Sequence, residues 1–265
     1  MISVVIATLN EKENLPVCLK SLKLQTLKNF EVVVVDNFST DGTLEIAKSF
    51  GIGVFSLGPE RSEQKNFGAQ EAQGDYLLFV DADMELESTV VASCLEKVDE
   101  GFDGVIIPEI SVGQGFWSDC RSLEKRLYFV DPSIEAPRFF KKSIFEKVGG
   151  YSPDLVSGED WDLREKIKSL SAKIGRIDSL IYHHEGHLTL KRAFKKKFYY
   201  AKHARNYLRR NRPSLVTLLL FVFRPAFLRN VRYLFIDPRH FSGMLFLKTV
   251  ELVAGALGFI YSTFL

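Results

Sequence analysis

Two aspartates stand one residue apart at Asp81-Ala82-Asp83, directly after the apolar run Tyr76-Leu77-Leu78-Phe79-Val80. A run of that aromatic and β-branched character predicts a buried strand, and the acids fall where it ends, with Ala82 pointing away between them. In open α/β sheets, ligands bind at the carboxyl ends of the strands. Neighbouring carboxylates repel unless a cation lies close. Mg2+ and Mn2+ take oxygen ligands from one or two carboxylates together with substrate phosphates. The pattern points to capture of a metal-bound phosphate compound. The competing reading is a pair of solvated loop acids.

Other candidates are spread along the chain. Gly158-Glu159-Asp160-Trp161-Asp162 opens a predicted helix over 157–170. A helix N-terminus favours acids through its dipole alone, yet a carboxylate placed there against a substrate hydroxyl also serves as a general base. Ile181-Tyr182-His183-His184-Glu185-Gly186-His187 holds three of the five histidines. Adjacent strand residues face opposite ways, so His183, which ends the predicted strand, and His184 point to different sides, with His183 the better candidate for a site and His184 second; a solvated histidine cluster is the alternative. No cysteine lies nearby, which disfavours zinc. Ala7-Thr8-Leu9-Asn10-Glu11 follows the first strand without a glycine and so excludes the G-x-G-x-x-G turn of a nicotinamide site. Asp36 sits at a strand end where an acid accepts hydrogen bonds from a ribose or base edge; helix capping is the alternative, and it suits Asp41 better. Gln64-Lys65-Asn66 with Gly68 begins a helix whose N-terminus and cation can face phosphates, or forms an ordinary solvated turn.

The elements that must position these groups alternate. Strands are predicted at Ile2–Ala7, Glu31–Val35, Gly53–Ser56, Tyr76–Val80 and Gly104–Pro108, with helices at about 12–25, 42–50, 62–73 and 87–99 between them. That order implies an α/β fold with a mostly parallel, Rossmann-type sheet flanked by helices. After residue 110 the pattern loosens. Residues 111–119 read as a mobile Gly- and polar-rich loop, followed by a helix at about 118–130 and strands at Ala136–Lys141 and Ser179–His183.

The blocks V-V-I-A-T-L-N-E at Val4–Glu11, V-V-V-V-D-N-F-S-T-D-G-T at Val32–Thr43 and Q-K-N-F-G-A-Q-E-A-Q-G-D-Y-L-L-F-V-D-A-D at Gln64–Asp83 resemble family 2 glycosyltransferases. The resemblance covers about residues 1–190 and implies the GT-A fold, a nucleotide-diphosphate sugar donor (UDP- or GDP-linked), a divalent metal, Mg2+ or Mn2+, and inversion at the anomeric carbon. By that resemblance Thr8, Glu11 and Asp36 hold the nucleoside, and Lys65 lies near it or the diphosphate. Asp81 approaches the ribose, Ala82 belongs to the same donor-binding stretch, and Asp83 binds metal, joined by Asp81 and by His183 or His184. Ala136-Pro137-Arg138-Phe139-Phe140-Lys141, Gly149-Gly150-Tyr151 and Gly158–Leu163 resemble the acceptor half, whose Glu-Asp pair supplies the catalytic base. Asp160 is preferred as base and Glu159 is the alternative. If the acceptor is a phosphate, little proton abstraction is needed and Asp160 takes a positioning role.

Charge divides the chain. Net charge is +2 overall, but residues 1–185 carry 20 Lys/Arg against 31 Asp/Glu, whereas 186–265 carry 15 against 2. The division drawn is a glycosyltransferase domain over 1–187 (donor half 1–110, acceptor half 111–187) and a basic, apolar helical tail over 188–265. In the tail, Thr189–Arg212 reads as a basic amphipathic helix, followed by apolar runs Leu215–Phe223 and Phe241–Leu265. Lys248 and Glu251 interrupt the second run and are spaced to pair. The uninterrupted stretch 252–265 is short of the roughly 20 residues of a span. Basic, aromatic-rich helices of this kind lie in the headgroup plane of an anionic membrane. A soluble helical subdomain and a nucleic-acid surface are the rivals, and neither accounts for the apolar content past residue 214. Three cysteines without a C-x-x-C pair suit a reducing compartment and buried small hydrophobes. No signal peptide is visible. The expected place is therefore the cytoplasmic face of the cell membrane, peripheral or monotopic, with a single span possible. The expected reaction is metal-dependent transfer of a sugar to a polyprenyl or dolichyl phosphate or a lipid-linked saccharide, without nucleic acid. A sugar-1-phosphate nucleotidyltransferase is the alternative enzyme, and a non-catalytic membrane scaffold the alternative outside catalysis.

Overall fold

The computed structural model describes residues 1–127, 129, 135–212, 214 and 232–262. The strands are β1 (Ile2–Thr8), β2 (Phe30–Asp36), β3 (Val54–Ser56), β4 (Tyr76–Asp81), β5 (Met84–Leu86), β6 (Gly104–Ile106), β7 (Glu109–Gln114), β8 (Phe139–Lys141), β9 (Ile174–Arg176) and β10 (Ile181–His187). The helices are α1 (Leu15–Lys23), α2 (Thr43–Ser49), α3 (Arg61–Glu71), α4 (Val90–Asp99), α5 (Phe116–Leu127), α6 (Lys142–Lys147), α7 (Glu159–Ser169), α8 (Leu190–Asn211), α9 (Tyr233–Ile236) and α10 (Pro238–Tyr261). By compactness the chain forms two units. One comprises Met1–Glu109, Glu135–Pro153 and Glu159–His184; the other comprises Ile110–Ile134, Asp154–Gly158 and Glu185–Leu265. The sequence reading drew its line at 187 instead.

The first unit is built on a seven-stranded sheet of order β3-β2-β1-β4-β8-β6-β9. Strands β3, β2, β1 and β4 run parallel. Both faces are covered, which explains why these strands read as unbroken apolar runs rather than alternating ones. Val4, Ile6, Leu78 and Val80 pack to one side with Leu15, Leu19, Val91 and Cys94. Val5, Leu77 and Phe79 pack to the other with Phe145, Tyr151, Leu163 and Ile167. Strand β8 runs antiparallel to both its neighbours. That reversal lays the start of β8 beside the end of β4, with Phe139 opposite Leu78 and the Phe79 amide donating to the Arg138 carbonyl at 2.9 Å. Arg138 is thereby delivered to the edge that carries Asp81.

Helix α3 lies close on β1 because Gly68 has no side chain. A Cβ there would sit 2.4 Å from Val5 Cγ1 and 3.2 Å from Val35 Cγ2. Val5 is fully buried and β-branched, so it has no rotamer into which to retreat. Gly68→Ala gains about 1 kcal/mol of helix propensity but incurs about 1–3 kcal/mol of overpacking. A net loss is expected, read as a lower urea midpoint at unchanged m-value. An unchanged or higher midpoint would show that α3 can lift off β1 at no cost.

In the second unit, the predicted mobile loop over 111–119 is replaced by β7 and the first turn of α5. The physical reason lies in what Gly113 does. It permits close strand approach, since a Cβ there would meet the Gly186 carbonyl oxygen at 2.7 Å and Ser118 Cβ at 2.8 Å. The Ser118 hydroxyl accepts from the Leu188 amide at 3.0 Å, closing the turn. Helix α8 is capped by Thr189, whose side chain accepts from the Arg192 amide. Helix α10 starts at Pro238 with Asp237 accepting from the His240 amide. Cys120, Leu123, Leu127, Leu188, Ala193, Phe241, Met244 and Leu247 form the core of this unit. The predicted apolar run Leu215–Phe223 lies outside the described residues. All three cysteines are free and buried.

Candidate active site

The C-terminal ends of β1, β2 and β4 carry Thr8, Asp36 and Asp81 in one register, with Thr8 opposite Asp36 and Ala7 opposite Asp81. Asp36 is fully buried and accepts from the Ser39 amide at 2.7 Å, which shapes the turn after β2. Asp41 accepts from the Thr43 amide at 3.0 Å, while the N-cap position of α2 is Gly42, without a side-chain cap. Gln64 ties the first two strand ends together by donating to the Thr8 and Val35 carbonyls at 3.1 and 2.7 Å. Thr8 Oγ1 is buried and has no hydrogen-bond partner among the described residues. Glu11 accepts from Asn14 at 2.7 Å, and its amide donates to the Thr43 hydroxyl.

Lys65 is the centre of the charge arrangement. It is fully buried on α3, with Nζ 3.3 Å from Asp81 Oδ1 and 3.8 Å from Asp160 Oδ1, and 5.2 Å from the Tyr151 ring centroid. Neither Nζ nor Asp81 Oδ1 has a hydrogen bond of good geometry. The second Asp81 oxygen lies 3.3 Å from Arg138 Nη1. Burial opposes ionisation of Asp81, but Lys65 and Arg138 outweigh it and hold the carboxyl well below the usual aspartate range. Burial likewise opposes the Arg138 charge, and Glu109 and Asp81 more than restore it.

The two candidate bases differ in surroundings. Glu159 is 4 % exposed and salt-bridged to Arg61. Burial and then the neighbouring Asp160 push its carboxyl above the usual glutamate range. The Asp160 side chain is 38 % exposed and so is open to solvent where Glu159 is not. Asp162 is taken up by the Ser152 hydroxyl and by Lys166, at 2.6 and 3.1 Å.

The histidines separate as strand alternation requires. His183 Nε2 is 3.0 Å from Asp83 Oδ2, while His184 Nε2 is 2.8 Å from Glu85 Oε2 on the other side. Pairing of β10 with β5, His183 opposite Met84, fixes this register. The side chain of Ala82 joins the apolar core, so only its backbone is available to a ligand.

A divalent cation suits these donors. Among the described residues the remaining Asp83 oxygen is buried with no hydrogen-bond partner, as is one oxygen of Asp81. A carboxylate oxygen beside an imidazole nitrogen is an acceptable start to a Mn2+ or Mg2+ shell. Among the described residues no group of three or more His, Cys, Asp or Glu side chains is placed to hold a metal ion by itself.

Four residues of this cluster escape sequence reasoning as site members: Arg61, Glu109, Arg138 and Tyr151. Arg138 stands in the quoted acceptor-half block, but only the antiparallel entry of β8 reveals that it meets Asp81. Tyr151 is held through its backbone by both atoms of the Asn66 amide.

The family model described as "Glycosyl transferase family 2" matches residues 3–154. The chain belongs to that family. The strand ends bearing Thr8, Asp36 and Asp81, and the cluster around Lys65, are therefore features of a family 2 glycosyltransferase. A PGL/p-HBAD biosynthesis glycosyltransferase of Mycobacterium bovis is 32% identical over 190 residues, covering 66% of this chain and 73% of that protein. The GalNAc(5)-diNAcBac-PP-undecaprenol beta-1,3-glucosyltransferase of Campylobacter jejuni is 28% identical over 55% of this chain and 53% of its own length. A glycosyltransferase of Haemophilus influenzae is 29% identical, and the match spans 62% of its length. Among solved structures, the mannosyltransferase PcManGT of Pyrobaculum calidifontis, in complex with GDP-Man and Mn2+, superposes with a TM-score of 0.66 at 15% identity, over 96% of this chain and 86% of that one. TarS of S. aureus in complex with UDP gives 0.56 at 22% identity, over 76% and 64%. These likenesses establish a GT-A-like fold with a parallel-rich sheet.

Proposed function

We infer that this chain transfers a sugar, with inversion, from a nucleotide-diphosphate donor to a lipid-linked acceptor. The observation that carries the reading is the half-satisfied charge cluster. Among the described residues the buried Lys65 Nζ and one buried oxygen each of Asp81 and Asp83 find no hydrogen bond, and Asp160 stands beside Lys65 partly open to solvent. Buried polar groups left without partners cost stability unless a ligand completes them. A diphosphate with its cation supplies the missing acceptors for Lys65 and the missing charge for the aspartates.

In this reading Thr8 Oγ1, Glu11 and Asp36 contact the nucleoside, and the Asp81–Ala82 backbone borders the ribose. Lys65 draws in the diphosphate. Asp83 with His183 would hold Mg2+ or Mn2+, which would supply positive charge to the leaving nucleoside diphosphate. Asp160 takes the proton from the acceptor hydroxyl as the oxygen closes on the anomeric carbon. Arg61 holds Glu159 aside and so keeps Asp160 as the accessible carboxylate. The donors named for the neighbours, GDP-Man and UDP, and the undecaprenol-linked acceptor named for one relative support the donor and acceptor classes. A nucleotidyltransferase is disfavoured because Leu9-Asn10-Glu11, not a glycine-rich phosphate loop, follows β1. A panel of UDP- and GDP-sugars with Mn2+ tests the proposal. Release of nucleoside diphosphate with one base, increased by a short polyprenyl phosphate or lipid-linked saccharide, is expected. No release and no thermal stabilisation by either nucleotide would reject it.

The second unit supports attachment to an anionic membrane. Helix α10 is long and apolar enough to cross a bilayer, yet its polarity is arranged inward. Glu251 is buried and pairs with Arg121; Lys248 reaches Glu124 at 2.5 Å and Glu251 at 3.4 Å. The outward face instead shows Leu245, Phe246, Leu252, Val253, Leu257 and Ile260. Cations of α8 adjoin it, with Lys202 Nζ 5.3 Å from the Tyr261 ring and Arg205 donating to the Ser262 carbonyl. Spanning would drag the charged partners on α5 into lipid, whereas lying in the interface buries only the apolar face. Each nearby Lys or Arg adds about 1 kcal/mol on an anionic surface. Val253→Asp with Leu257→Asp is expected to release the protein from phosphatidylglycerol vesicles into the supernatant. Unchanged sedimentation would refute the lipid face, and a dimer converted to monomer would assign it to a second copy.

A further inference from the structure

Glu109 opens β7 and touches both ends of the cluster. Its Oε1 accepts from Arg138 Nε at 2.6 Å, and its Oε2 lies 3.8 Å from His183 Nδ1. His183 in turn presents Nε2 to Asp83, at 3.0 Å. An imidazole offers its Nε2 lone pair to a cation only while its proton resides on Nδ1, and that tautomer needs an acceptor behind the ring. Among the described residues Glu109 places a carboxylate oxygen on that side, 3.8 Å from Nδ1. It is itself held, because Arg138 is fixed by its backbone bond to Phe79 and by its contact with Asp81.

We propose that Glu109 is a positioning residue that orients His183 toward the cation, with Arg138 as its anchor. The proposal rests on the metal reading above and assigns to Glu109 a task beyond balancing the Arg138 charge. The rival role is purely local: an ion pair that keeps Arg138 beside Asp81. The two roles differ in what they need from His183.

Mn2+ binding in the presence of the nucleoside diphosphate the protein accepts, followed by electron paramagnetic resonance, separates them without reference to turnover. Glu109→Gln keeps an oxygen for Arg138 Nε but turns an amide N–H toward His183 Nδ1, which selects the wrong tautomer. Both Glu109→Gln and Glu109→Ala are expected to weaken Mn2+ about 10- to 100-fold. In a His183→Gln background, neither should weaken it further. Thermal unfolding of each variant confirms that folded protein is being compared. Undiminished Mn2+ affinity in folded Glu109→Gln, or an equal loss with His183 already replaced, overturns the proposal. Absence of Mn2+ binding by the wild type would sink the metal reading itself, and Glu109's task with it.

Discussion

Asp160→Asn is expected to lower kcat by about 100- to 10,000-fold, the usual contribution of a positioned general base, with little change in donor affinity. The amide cannot take the acceptor's proton, and it fills the same space beside Lys65. Glu159→Gln should behave differently. Glu159 is buried against Arg61, with its carboxyl already pushed up by burial and by Asp160, so neutralising it removes one partner of a salt bridge and relieves repulsion at Asp160. Its effect should register in thermal stability more than in kcat. The measurement is steady-state kinetics on a hydroxyl acceptor, with kcat and KM separated. A kcat for Asp160→Asn within threefold of wild type, alongside a large loss in Glu159→Gln, would exchange the two roles. A phosphate acceptor gives a third, distinct outcome. Its nucleophile is already ionised, so Asp160→Asn would then act mainly on KM, and the residue would be one that positions.

Much of the donor half is legible because its chemistry sits at the ends of strongly patterned elements. Tyr76–Val80 marks β4, and the residues after it must lie at the sheet's ligand-binding edge. Strand alternation alone separates His183 from His184, and the structure keeps them apart, on Asp83 and Glu85. The acceptor side is less legible for a physical reason. Strands β5 and β9 have three residues each, too few for a period to register, and neither is predicted. Arg138 carries no local mark of its destination. It reaches Asp81 only because β8 runs antiparallel to β4, and that is a property of topology, not of neighbouring residues. Gly113 shows the opposite error. Glycine was read as freedom, whereas here it allows two strands to approach closely. In the tail, the spacing of Lys248 and Glu251 foretells their pairing, but nothing local foretells Arg121 and Glu124, contributed by α5.

Lys65→Met is expected to destabilise the fold by an amount at the lower end of the roughly 3–5 kcal/mol that follows when one member of a buried ion pair is removed. The aliphatic stem can still pack on Tyr151, so little volume is lost. What remains is Asp81 with Arg138 at 3.3 Å. The sign of the pH dependence follows from the depressed Asp81 carboxyl. A group held below its unfolded value contributes stability above the ordinary aspartate range and loses it as pH falls through the folded value. Without Lys65 the folded value rises, so on acidification Asp81 takes its proton sooner in the variant than in the wild type. The stability gap should therefore be widest at neutral pH and narrow below about pH 4, as urea unfolding at several pH values would show. A gap that stays constant with pH would mean that Lys65 acts by packing and not by charge. Adding Asp81→Asn to Lys65→Met removes the stranded charge and should recover much of the lost stability, because a buried pair replaced on both sides is far less costly than one broken. Activity should not return with it. A chain that regains its fold but not its transfer would establish that this charged cluster is kept for the diphosphate at the expense of stability.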